Sequence, residues 1–87
     1  MNSRLTRKFR LLFAELPPEI QLRARRAYLI WRDNPAHPGL NFKQVDPEQR
    51  IYSVRVGRDY RVLGILRGNT VIWYWIGKHD EYDRQLS

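Results

Sequence analysis

Residues 51–78, IYSVRVGRDYRVLGILRGNTVIWYWIGK, decide the fold. Apolar residues recur there at a period of two, and the run is broken twice, at Gly57-Arg58-Asp59 and at Gly68-Asn69. Period-two alternation marks strands with a buried face, and short glycine-containing breaks mark hairpins. The segment reads as three antiparallel strands over 51–56, 60–67 and 70–77, with a fourth over 40–45 before the DPEQ turn. Upstream the apolar period is 3.6. Phe9, Leu12, Phe13 and Leu16 line one face of a helix over 6–15, with Thr6 as its cap. Pro17 and Pro18 stop that helix, and Pro18 with Glu19 starts a second, in which Ile20, Ala24, Ala27, Tyr28 and Trp31 share a stripe up to Asp33. NPAHPG at 34–39 is loop by its prolines and glycine. The simplest assembly is α+β: an N-terminal antiparallel helix hairpin packed on one face of a four-stranded, mainly antiparallel sheet, in a single domain spanning 1–87.

The hairpins also set a register. A two-residue loop at Gly68-Asn69 pairs Arg67 with Thr70, Gly64 with Trp73 and Val62 with Trp75. A three-residue loop at 57–59 pairs Val56 with Tyr60 and Arg55 with Arg61. Tyr52, Val54, Val56, Tyr60, Val62, Leu66, Trp73 and Trp75 then form the core face under the helices. Ser53, Arg55, Arg61, Leu63, Arg67, Tyr74 and Ile76 form the other. Two arginines directly opposite each other repel unless an anion lies between them or both splay into solvent. Arg55 and Arg61 thus read as a prepared phosphate site.

Composition points the same way. The 87 residues carry 16 lysines and arginines against 9 acids, a net charge of +7, and 43% hydrophobic content suffices for a core. Thirteen of the 16 cations are arginine, whose planar fork suits phosphate oxygens and base edges, although a GC-rich genome also inflates arginine. A polyanionic partner is expected. With no cysteine there is no disulfide, no zinc-finger ligand set and no thiol nucleophile, so a cytoplasmic location is the default. The longest apolar run, VIWYWI at 71–76, is too short to span a bilayer, and MNSRLTRKFR lacks a signal-peptide core. No membrane partner is expected.

Five segments in this order, F-x-x-L-F-x-x-L-P at 9–17, N-P-x-H-P at 34–38, Y-S-V-R-V at 52–56, Y-R-V-L-G at 60–64 and W-I-G-K-H-D-E-Y-D-R at 75–84, resemble the RelE/ParE toxin superfamily, and its RelE-like branch in particular. The resemblance covers almost the whole chain. It implies a toxin of a type II toxin–antitoxin system, with a cognate antitoxin as partner. RelE-like members cleave mRNA on the ribosome, and ParE-like members poison DNA gyrase. By the same resemblance Arg55 matches the second basic position of the family's strand motif, Arg61 matches the arginine of the next strand that holds the scissile phosphate, His79 and Tyr82 match a basic or imidazole group and an aromatic one after the last strand, and Ser53 stands at the first basic position, where some relatives carry a further cation.

RNA cleavage through the substrate's own 2′-hydroxyl needs a base, cations for the phosphorane charge and an acid for the leaving oxygen. His79 is the residue suited to act as base near neutral pH, with a surface histidine beside Asp80 and Glu81 as the plain alternative. Arg55 and Arg61 supply charge, Lys78 adds to it, and Tyr82 stacks on a base or orients the hydroxyl. The RNA-binding set is completed by Arg67, Tyr74 and Lys43. His37, between two prolines, reads as structural, and Trp31, Trp73 and Trp75 read as core. Asp80, Glu81 and Asp83 read as a solvated turn or the start of a C-terminal helix, so no metal and no cofactor is expected. Arg23, Arg25, Arg26 and Arg32 read as a solvated helix face that could touch rRNA phosphates. The leading reading is a ribosome-dependent mRNA endonuclease; a gyrase inhibitor without chemistry, and a degenerate toxin that only binds its antitoxin, stand beside it.

Overall fold

Both hairpins form where the sequence places them, in a computed structural model that describes residues 1–86. The elements run β1 (Asn2–Leu5), α1 (Arg7–Ala14), α2 (Pro18–Asp33), a 3-10 turn at Pro38–Leu40, β2 (Lys43–Asp46), β3 (Ile51–Val56), β4 (Tyr60–Arg67), β5 (Thr70–Lys78) and α3 (His79–Leu86). The sheet order is β1-β5-β4-β3-β2; β2 to β5 are antiparallel neighbours and β1 runs parallel to β5. The expected four-stranded sheet is therefore a mixed five-stranded one. Strand β1 carries no alternating apolar signal, since Asn2, Arg4 and Leu5 are all exposed. It is held at the edge by its backbone, with Asn2 N–H donating to the Asn69 carbonyl (2.9 Å) and Thr6 N–H to the Trp73 carbonyl (3.0 Å).

Helices α1 and α2 cover one face of the sheet. Thr6 caps α1 as expected, its hydroxyl accepting from Phe9 N–H at 3.0 Å. The Gln21 side-chain amide donates to the carbonyls of Phe13 (3.0 Å) and Leu16 (3.2 Å), satisfying acceptors that the end of α1 leaves open. Instead of a closed hairpin the helices splay, α1 over β5 and α2 over β3. Phe9, Trp31, Val54, Val62, Trp73 and Ile76 form the core between helices and sheet. Trp31, 1% exposed, sets its edge on Trp73 at 5.2 Å. Gly64 is Trp73's cross-strand partner, and a Cβ there would come within 2.5 Å of the ring, so the absent side chain makes the room the indole needs.

One register detail corrects the expected faces. Leu63 pairs with Trp75 and Gly64 with Trp73, which leaves Tyr74 as a bulge. A bulge adds one residue to its strand, so every residue beyond it changes side. Ile76 rather than Trp75 is opposite Val62 and lies in the helix-side core, while Trp75 lies on the other face with Ile51 and Leu63. That face is partly covered by Val45, Tyr82 and Leu86, so the sheet has a core on both sides. The strand expected over 40–45 begins only at Lys43. Before it, His37 Nδ1 accepts from Gly39 N–H at 3.0 Å, which stabilises the 3-10 turn and gives His37 its structural role.

Candidate functional site

Arg55 and Arg61 are direct cross-strand partners on β3 and β4. Alternation puts both on the face away from α1 and α2, in the row next to Ser53, Leu63 and Trp75. The turn between their strands holds both guanidiniums. Arg55 Nε donates to the Gly57 carbonyl (3.1 Å), and Arg61 Nη1 donates to the carbonyls of Arg58 (3.2 Å) and Tyr60 (2.8 Å). Neutral carbonyls orient a guanidinium without cancelling its charge, and each group keeps further donors for a ligand. Among the described residues no carboxylate lies within 4.0 Å of either arginine. Arg55 is exposed and Arg61 half-buried.

The same turn fixes the start of α3. His79 N–H donates to the Asp59 carbonyl at 2.7 Å, which pins the junction of β5 and α3 beside the arginine pair. The His79 ring is exposed and stacks on Tyr82, with centroids 5.7 Å apart and planes at 21°. The two lie three residues apart on one helix face. Tyr82 in turn packs against the cluster of Ile51, Leu63 and Trp75, so the stack rests on the sheet. Gly77 is Arg61's partner on β5, and a Cβ there would come within 2.5 Å of Trp75 Cζ2; the indole takes the space a side chain would fill.

The remaining residues of the expected set divide. Tyr74, the bulge residue, is half-buried on the same face, and its phenol is pushed above the usual tyrosine value by burial first and then by Asp46 and Tyr82. Lys43 is exposed on β2 opposite Ser53, which puts it on the arginine face. Lys78 pairs with Tyr60, and alternation puts it on the helix side. Arg67 pairs with Thr70 at the far end of β4, about 20 Å along the strand from Arg61. Arg55, Arg61, His79 and Tyr82 are thus brought to one corner, Tyr74 and Lys43 adjoin it, and Lys78 and Arg67 stand apart. Arg23 of α2 joins the corner from the helix side, its Nη1 3.2 Å from where a Gly57 Cβ would be. Nothing in the helical pattern distinguishes Arg23 from its neighbours, because the contact spans 34 residues of chain and exists only once α2 lies over β3.

A family model described as a ParE-like toxin domain matches residues 18–84. The chain belongs to the ParE-like toxin family. Its domain has the fold of several solved structures. A chain of the RelB–RelE antitoxin–toxin complex from Methanococcus jannaschii superposes with a TM-score of 0.74 at 17% identity, over 95% of this chain and 98% of that one. The RelBE2 toxin–antitoxin complex from Mycobacterium tuberculosis gives 0.70 at 23% identity, over 90% and 96%. YafQ from E. coli gives 0.73 at only 8% identity, over 93% and 96%. At these identities what is shared is the fold. A search of the curated proteins by sequence found no match. Within the ParE-like toxin domain, the matched span takes in Arg55, Arg61, His79 and Tyr82 and omits β1 and α1. Among the described residues no helix is long and apolar enough to cross a membrane.

Proposed function

We propose that this ParE-like domain is the toxin of a toxin–antitoxin pair and that it cleaves mRNA on the ribosome without a metal. The observation that carries the reading is the shared turn: the carbonyls of Gly57, Arg58 and Tyr60 hold Arg55 and Arg61, and that of Asp59 holds the His79 backbone. Two guanidiniums with no carboxylate partner among the described residues and an exposed imidazole at one corner supply the cations and the base of a 2′-hydroxyl mechanism. His79 takes the proton of the 2′-hydroxyl, and O2′ attacks the adjacent phosphorus. The P–O5′ bond breaks as the 5′ oxygen takes up a proton from solvent water, to which His79 returns the one it took, leaving a 2′,3′-cyclic phosphate and a 5′-hydroxyl end. Arg61, tied at two carbonyls, and Arg55 stabilise the phosphorane. The His79–Tyr82 stack offers a ring surface for a splayed base. A cognate antitoxin holds the domain inactive, in keeping with the complexes in which its structural relatives were solved. The basic corner would work in the cytoplasm, where ribosomes are.

A second reading, inhibition of DNA gyrase without chemistry, has the name of the matching family model in its favour. Inducible expression with separate readouts of translation and DNA supercoiling decides between them. Loss of translation with cuts inside ribosome-bound reading frames supports the nuclease; intact translation with DNA damage supports the gyrase inhibitor and removes the nuclease.

A further inference from the structure

Gly57 opens the turn that seats the two arginines, and a helix on the other side of the sheet closes over it. Its φ is +62°, a left-handed conformation that glycine adopts without strain, and its carbonyl accepts from Arg55 Nε at 3.1 Å. Chain neighbours aside, the place a Cβ would take has only Arg23 within 4 Å among the described residues, with Nη1 at 3.2 Å and Cδ at 3.6 Å. The arginine lies across the glycine with both its stem and its head. It comes there because Ala24 and Ala27 pack against the helix-side core, and such small residues let α2 lie close over β3. Arg23, next to Ala24, then falls where β3 ends and the turn begins. Other arginines of α2 are placed differently: Arg25 sits over the Phe13 ring at 5.1 Å, and Arg32 is 3.8 Å from Asp33. Among the described residues no carboxylate lies within 4.0 Å of Arg23, so no ion pair draws it off the turn.

A turn that begins on glycine pivots there more freely than on any other residue. The bonds that seat the corner all run to this turn: Arg55 to the Gly57 carbonyl, Arg61 to those of Arg58 and Tyr60, and the His79 backbone to that of Asp59. Resting on the nuclease reading above, we propose that Arg23 is a positioning residue for the cleavage: it clamps Gly57 by packing and so fixes the carbonyls that aim Arg55 and Arg61. It touches no RNA. The seat of α2 on one face of the sheet thereby sets the aim of the cations on the other.

The test compares wild type, Arg23→Ala and Arg23→Met, each checked for an unchanged melting temperature. Methionine keeps an unbranched stem, with sulfur where the Arg23 Cδ lies over Gly57, and drops the charge. In NMR spectra of the arginine Nε–H groups, the Arg55 signal should shift in Arg23→Ala toward those of solvent-exposed arginines and return in Arg23→Met. Single-turnover mRNA cleavage at saturating ribosomes should slow about 10-fold in Arg23→Ala, short of the roughly 100-fold that a 1 Å misplacement can cost, with ribosome affinity unchanged. Arg23→Met should recover most of that rate. An Arg55 signal unmoved in Arg23→Ala overturns the proposal and leaves the nuclease reading intact. So does an Arg23→Met as slow as Arg23→Ala whose ribosome binding has lost salt dependence, the mark of a direct phosphate contact. A wild-type protein that cuts no ribosome-bound mRNA removes the nuclease reading, and the role of Arg23 in it.

Discussion

Arg55 and Arg61 stand directly opposite each other on adjacent strands, each tied by a guanidinium N–H to the backbone of the turn that joins them. Like charges in that position cost a few tenths to about 1 kcal/mol. The carbonyl bonds they make lie at or near the surface, where water replaces them readily. Arg61→Ala should therefore unfold within about 1 kcal/mol of wild type while losing roughly 2–4 kcal/mol of transition-state stabilisation, the scale of one oxyanion donor. Thermal unfolding beside a ribosome cleavage assay measures both; a variant that unfolds would remove Arg61 from the site and return it to the fold.

The hairpin registers at 57–59 and 68–69 were legible because glycine breaks and period-two alternation specify them locally, and with them the Arg55–Arg61 and Gly64–Trp73 pairs. The bulge at Tyr74 was not. VIWYWI is apolar throughout, so no polar residue records which side each position takes, and sheet-wide packing decides that Trp75 joins Leu63. Strand β1 escaped for the opposite reason: its exposed side chains carry no pattern, and its place depends on backbone bonds to β5. Of the candidate site, the residue types and the Arg55–Arg61 pairing are readable, but the seating of His79 and of the two guanidiniums is not, because those bonds run to carbonyl groups, which every sequence has.

The bulge makes Trp75 a core residue of the α3 side. It is 3% exposed among Ile51, Leu63 and the covering Tyr82 and Leu86. Trp75→Ala should cost about 3–5 kcal/mol and loosen α3, taking His79 with it. Denaturant unfolding gives the first effect, and amide exchange across 79–86 gives the second. Normal protection of α3 in this variant would show that the helix does not depend on that core.

Gly64 offers a sharper packing test. Its Cβ would meet Trp73 at 2.5 Å and Val71 Cγ1 at 2.7 Å, both in a buried setting. Gly64→Ala should destabilise by about 1–3 kcal/mol, the usual cost of overpacking a filled core. Chemical denaturation of the two proteins checks this, and an alanine variant as stable as wild type would mean the indole can move aside.

Tyr74 gives the stability a pH dependence at the alkaline end. Its folded value is raised, by burial first and then by Asp46 and Tyr82, above the ordinary 10.0. A group that holds its proton more tightly when folded contributes fully below the unfolded value and loses that contribution as pH rises through the folded one. Stability should therefore fall from about pH 10 upward, and Tyr74→Phe should flatten that fall. Melting temperatures across the alkaline range, read with tyrosinate absorbance, would show it; identical profiles for both proteins would count against a buried phenol.

If the corner built on the 57–60 turn does chemistry on RNA, the reaction depends on His79, whose side chain is exposed and whose bond to the turn is made by backbone. The measurement is the single-turnover rate of mRNA cleavage on purified ribosomes for wild type and His79→Gln, with the melting temperature of each. His79→Gln should keep the fold and cut at a rate lower by about 10²–10⁴-fold, the contribution of a general base. A folded His79→Gln that cuts at the wild-type rate, or a wild-type protein that leaves ribosome-bound mRNA whole, would contradict it.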